Sequence, residues 1–218
     1  GGVLTREQFL PHEMRIVAAL RMQGASDEQV IVRVKSENLF QYPTERMVAN
    51  RATVCLRRLD AMVPTDAVCA ARGIDPKTAV EAASSLTRLM ASGTPTQADQ
   101  AIFYSMICRY DIVRELVLIE VGERLQNFDY AFTAVDLNAF MTRFTTEYPD
   151  AARWTEATVK RIKGSLRQTL RHAGLIGEGL GPETERLSPL FLDSDVERAL
   201  VQLGEQPLIA ALTGRAVM

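Results

Sequence analysis

The chain has 218 residues, 47% of them hydrophobic, which is enough to bury a sizeable core and excludes a disordered tail. With 25 Lys and Arg against 27 Asp and Glu its formal charge is −2, so there is no global basic signature of a nucleic-acid binder and the distribution of charge has to carry the argument. No apolar run approaches the roughly 18 to 20 residues of a membrane span, since Glu115, Glu120 and Glu123 interrupt the richest stretch, and the three cysteines Cys55, Cys69 and Cys108 are too few and too scattered for a disulfide framework or a zinc site.

Reduced core cysteines fit the cytoplasm. Gly1 and Gly2 precede no initiator Met and read as an expression scar, with no signal peptide behind them. A first helix is expected over residues 5–23, with Phe9, Met14, Ile16, Val17 and Leu20 inward and Gly24 ending it. Ser26 caps a second helix, Gln29 completing the capping-box spacing, and Thr44 caps a third with Val48, Ala52, Cys55, Leu59 and Met62 on its apolar face. Three short helices in residues 1–62 make a lobe of helix-turn-helix size. Arg46, Asn50 and Arg57 point away from the core stripe of the third helix, and Arg51 and Arg58 flank it. Together these five form a candidate second DNA surface, weighed against an ordinary amphipathic helix whose arginines snorkel.

Residues 63–125 read as connecting helices at about 65–72 and 76–91, followed by a long one from Gln97 to Leu125. Unbroken, that helix spans about 45 Å and bridges two helical lobes. Its apolar residues crowd several faces around Leu116, Val117, Leu118 and Ile119, so it is expected to be buried on several faces.

The C-terminal lobe, 126–218, opens with a short strand at Tyr130 to Val135 and a helix from Asp136 to Glu147. Thr155 then caps a helix over Glu156 to Ala173, stopped by Gly174. Val159, Ile162, Leu166, Leu170 and Ala173 form its apolar face, while Lys160, Lys163, Arg167 and Arg171 share a second stripe with Gly164. Between Arg153 and His172 there are six Lys or Arg against one acid, Glu156. A solvated basic face is the bland account. Against it stand the missing glutamate partners and a mid-helix glycine costing about 1 kcal/mol, which lets a backbone come close to something. Leu175 and Ile176, the run GEGLGPETER, and Leu187 to Leu192 then read as strand, turn and strand. Helix, basic helix and β-hairpin in this order are the parts of a winged helix-turn-helix, whose second helix enters the DNA major groove. Tail helices follow at about 193–204 and 206–213.

The fold class expected is therefore mainly α, with two helical lobes bridged by a long helix and a winged helix-turn-helix-like C-terminal lobe. The candidate DNA-binding residues are Lys160, Lys163, Gly164, Arg167, Gln168, Arg171 and His172. The long cations position a protein on phosphate, and Gln168 is the one obvious adenine reader. Glu178, Glu183 and Glu185 on the presumed wing oppose one basic residue, Arg186, so the wing either faces away from phosphate or meets a protein. The sequence holds no P-loop, dinucleotide fingerprint or GxSxG elbow. No catalytic residue, metal site or cofactor is expected.

The blocks ENLFQYPTERM (37–47), ERLQNFDYAFTAVDLNAFM (123–141) and TEATVKRIKGSLRQTLRHAGLI (155–176) resemble the BrxA family of the bacteriophage-exclusion (BREX) defence systems. The resemblance covers most of the chain. It implies a small, non-enzymatic, helical DNA-binding component of a bacterial anti-phage system, working with other BREX proteins that methylate host DNA and block phage replication. An adaptor whose basic helix meets an acidic protein, and an RNA binder like the antitermination factor to which such proteins have been likened, are the alternatives. The second is weakened by the lack of an evident aromatic stacking platform.

Overall fold

A computed structural model of the chain describes Leu4 and residues 9–181 and 184–215, with the backbone alone at 178–181 and 184. Its described residues are mainly helical, with one small three-stranded antiparallel sheet among them. The described residues cluster into two units, one comprising Leu10–Arg109 and Leu192–Glu205, the other built from Tyr110–Phe191 with Leu4, Phe9 and residues 206–215.

The first of these units begins with α1 (Pro11–Met22), in which proline occupies the first turn, where its missing N–H costs nothing. Residues 5–8 of the expected first helix lie outside the described residues. Ser26 opens α2 (Asp27–Ser36) with a full capping box to Gln29, and the Thr44 hydroxyl accepts from the Met47 N–H at the start of α3 (Glu45–Ala61). After α4 (Asp66–Arg72), α5 (Pro76–Ser92) presents Ala79, Ala82, Ala83, Leu86 and Met90 to the core, and α1 packs along it; buried alanines keep a helix surface low enough for close approach. Arg15 ties α1 to the end of α5 through a 3.1 Å bond to the Gly93 carbonyl. The next helix, α6 (Pro95–Arg109), is buried from Ala101 through Ile107 on every face, as a helix apolar all round must be. α11 (Ser194–Gln202) completes this unit against α5 and α6.

The expected helix from Gln97 to Leu125 is not continuous. α6 ends at Arg109, and Tyr110 is extended at φ −120° and ψ 107°, its side chain only 1% exposed. The residues on either side are helical, and nothing in the local helical pattern discloses the break. Beyond it lie α7 (Asp111–Glu115), a π-helical segment (Leu116–Val121) and α8 (Gly122–Gln126). Leu116 and Val117 are fully buried, whereas Leu118 and Ile119 are half-buried. The C-terminal α12 (Gln206–Thr213) packs on the π-helical segment and on α8. Gly122 makes that approach close: a Cβ there would lie 2.8 Å from the Ala211 Cβ.

In the same unit β1 (Ala131–Thr133) leads into α9 (Ala134–Glu147), which starts with a capping box between Thr133 and Asp136. A single 3-10 turn (Ala151–Arg153) separates α9 from α10 (Glu156–His172). Then come β2 (Ile176–Gly181) and β3 (Thr184–Leu187), and the strand order is β1-β3-β2, with Phe132 opposite Glu185 and Ile176 opposite Leu187. The hairpin thus uses most of the run expected to be a turn, and the strand expected over Leu187–Leu192 ends at its first residue. Pro189 lacks the N–H that continued pairing needs. Leu137, Phe140, Met141 and Phe144 of α9, Ile162, Leu166 and Leu170 of α10, and Phe132 and Leu187 of the sheet form the core.

Candidate functional site

The basic helix has the bounds its sequence marks. Thr155 at the N-cap accepts from the Thr158 N–H at 3.3 Å, and Gly174, at φ 81°, supplies the left-handed residue past its end. Lys160, Arg161, Gly164, Gln168 and Arg171 are exposed. At 100° per residue these five, with Ala157, lie within about 60° of the direction opposite the buried side chains. No acid stands between Ala157 and His172. A Cβ built at Gly164 would meet nothing within 4 Å, so the glycine leaves a shallow open track along the middle of this face.

Arg171 and the remaining expected members, Lys163, Arg167 and His172, are engaged with the rest of the unit. Lys163 is half-buried and donates to the Asn138 side chain of α9 at 2.7 Å. Arg167 and Arg171 both pair with Glu185 of β3: the Arg167 Nε lies 3.0 Å from Oε2, and Arg171 bonds Oε1 through Nη2. The Glu185 side chain is 12% exposed, against 35% for Arg167 and 54% for Arg171. Glu185 is therefore not a free acid on a wing. The Glu178 side chain and Glu183 lie outside the described residues, while Arg186 lies over the Tyr130 ring at 5.8 Å. His172 stacks on Phe9 with centroids 5.3 Å apart and planes at 20°.

Arg161 is a member of the face that the stripe reading misses. Its signal is in the sequence: measuring from the centre of the apolar face, rather than along the Lys160–Arg171 diagonal, puts Arg161 and Gln168 beside Gly164 and moves Lys163 to the flank.

Asp136 fixes the start of α9 on this scaffold. Burial pushes its carboxyl up, but the Thr133 hydroxyl and N–H, each donating to Oδ2 at 2.7 Å, and the Arg124 guanidinium at 2.7 Å from Oδ1 outweigh it and hold the group below its usual range. Arg124 also meets Asp129 and donates to the Ala131 carbonyl at 3.0 Å, so one guanidinium joins α8, β1 and α9.

Of the candidate second surface on α3, Arg46, Asn50 and Arg57 are exposed and share one face, and Arg51 is half-buried. Arg58 is a correction: it is 0% exposed, so it belongs to the core and to no surface. The alternative that it snorkels fails too, because α3 is covered on that side as well. Among the described residues, no group of three or more His, Cys, Asp or Glu side chains is gathered to hold a metal ion, and no helix is long and apolar enough to cross a membrane.

The BrxA family model matches residues 2–204. The chain belongs to the BrxA family. The resemblance read from its sequence blocks thus holds over nearly its whole length. This BrxA-family chain is 18% identical over 214 residues to the BREX protein BrxA of Escherichia coli O9:H4 (strain HS), covering 98% of this chain and 90% of that protein. It also shares its fold with an uncharacterized protein from Magnetospirillum magneticum, known from a crystal structure: TM-score 0.75 and 17% identity, over 97% of this chain and 96% of that one.

Proposed function

We propose that this BrxA-family protein is a non-enzymatic, double-stranded DNA-binding component of a BREX anti-phage system, acting in the bacterial cytoplasm beside other BREX proteins. The observation that carries the reading is the exposed face of α10, where Lys160, Arg161, Gly164, Gln168 and Arg171 stand together with no acid of the helix among them, only Arg171 reaching a carboxylate on another element, Glu185. The succession β1, α9, α10, β2, β3 with strand order β1-β3-β2 supports a winged helix-turn-helix, in which α10 is the helix that enters the major groove. Most of the face offers long cations, which hold phosphate, and Gln168 at its centre can pair with an adenine edge.

Fluorescence anisotropy with duplex DNA, single-stranded DNA and structured RNA of equal length, each at several salt concentrations, tests it. Tight duplex binding with a steep salt slope is expected, and replacing Lys160 and Arg161 by Ala lowers the slope by about 0.9 for each phosphate these side chains neutralise. Preference for structured RNA would replace duplex DNA as the ligand. No binding to any of the three would leave an adaptor with an acidic protein partner.

A further inference from the structure

Arg167 and Arg171 are one helical turn apart on α10 and reach the same carboxylate, one oxygen each. Two guanidinium groups therefore gather on one carboxylate, an anion of about the span of a phosphate's oxygens. Glu185, which holds them, sits on β3, the central strand, whose backbone is paired with β1 on one side and β2 on the other. The mount is therefore stiff. The Arg167 Nε and the Glu185 Oε2 are both out of solvent and 3.0 Å apart, an ion pair without the alignment of a hydrogen bond, while Arg171, hydrogen-bonded to Oε1 and 54% exposed, leads outward. An arginine has five N–H donors in a rigid fork, so pairing with Glu185 leaves outer N–H groups of both residues to bind a second anion.

We propose that Arg167 and Arg171, aligned by Glu185, form one phosphodiester subsite at the edge of the α10 face, with Glu185 as its positioning residue. This rests on the duplex-DNA reading above and adds to it which phosphate is shared and what preorganises its binding. Competition, in which DNA pulls the arginines off Glu185, is disfavoured because it would leave a carboxylate that is only 12% exposed without the two charges that oppose it. Binding with the pairs intact avoids that loss and leaves less side-chain freedom to be frozen on association.

The two accounts give opposite signs. Glu185→Gln removes a negative charge close to DNA, so electrostatics alone predicts tighter binding; a positioning role predicts weaker binding, by about threefold or more, because the guanidiniums lose their alignment. Anisotropy of the full chain on a duplex, titrated at several salt concentrations, reads this out alongside Arg167→Ala, Arg171→Ala and the double variant, with melting temperatures measured in parallel. Two arginines on one phosphate should lose about 0.9 from the log–log salt slope in total when both are removed, whereas separate phosphates would cost about 1.8. The slopes decide even if Glu185→Gln does not fold. Equal or tighter binding by a folded Glu185→Gln protein, or a double variant whose slope falls by the amount of two phosphates, overturns the shared subsite while duplex binding by the parent keeps the DNA reading. A parent that binds no duplex overturns both.

Discussion

The Glu205 carboxylate, 1% exposed, lies 2.9 Å from the Arg72 guanidinium. Arg72 also donates to the Leu203 carbonyl at 2.8 Å, and the Tyr104 hydroxyl donates to Glu205 at 3.2 Å. Burial, with Cys108 and Glu205 beside it, pushes that hydroxyl well above its usual range, so it remains a donor. Arg72→Ala removes the cation and leaves the buried carboxylate, and should cost about 3 kcal/mol. Urea unfolding measures it, and an unchanged midpoint would mean that the pair contributes nothing.

Tyr42 gives a prediction in alkali. Its hydroxyl donates to Glu13, which is itself 7% exposed, and burial first, then the hydrogen bond to Glu13 and that residue's charge, raise the phenol to about 12. The folded protein therefore holds this proton more tightly than the unfolded chain does. Its contribution is complete below pH about 10 and is lost as pH rises towards about 12. Thermal melts of the parent should fall more steeply across that window than those of Tyr42→Phe; parallel curves would show the phenol to be uncoupled from folding.

Asp136 behaves in the opposite sense. Held below the usual carboxylate range by Thr133 and Arg124, it contributes stability above pH about 4 that disappears as acid protonates it. Asp136→Ala should cost about 2 kcal/mol at neutral pH through the lost cap and ion pair. The difference from the parent should shrink in denaturation experiments at pH 3, and a constant difference would argue for a packing effect instead.

Two glycines in helices of the same unit should respond with opposite signs. An alanine at Gly122 would set its Cβ 2.8 Å from the Ala211 Cβ and 3.1 Å from the Ala211 Cα, so Gly122→Ala should destabilise by about 1–3 kcal/mol as α12 is forced off α8. At Gly164 the space is open, and Gly164→Ala should stabilise by up to about 1 kcal/mol through helix propensity. Melting temperatures that move the same way in both variants would contradict the assigned packing.

The local sequence settled what neighbours three or four residues apart can settle. Ser26 with Gln29, Thr44 with Met47 and Thr155 with Thr158 close their caps within one turn, and Gly174 stops α10 by a conformation that is unhindered for glycine. The spacing of Ile162, Leu166 and Leu170 likewise fixed which side of α10 is buried. What only the tertiary structure decided is separated along the chain. The helical stretch breaks at an extended, buried Tyr110, Arg58 is enclosed by elements outside α3, and Glu185, 14 residues beyond Arg171, reaches the two arginines only because β3 becomes the central strand. A cap or a periodic face is written into one turn of backbone, but the partner of a charge depends on where the rest of the chain returns, and no helical period encodes that return.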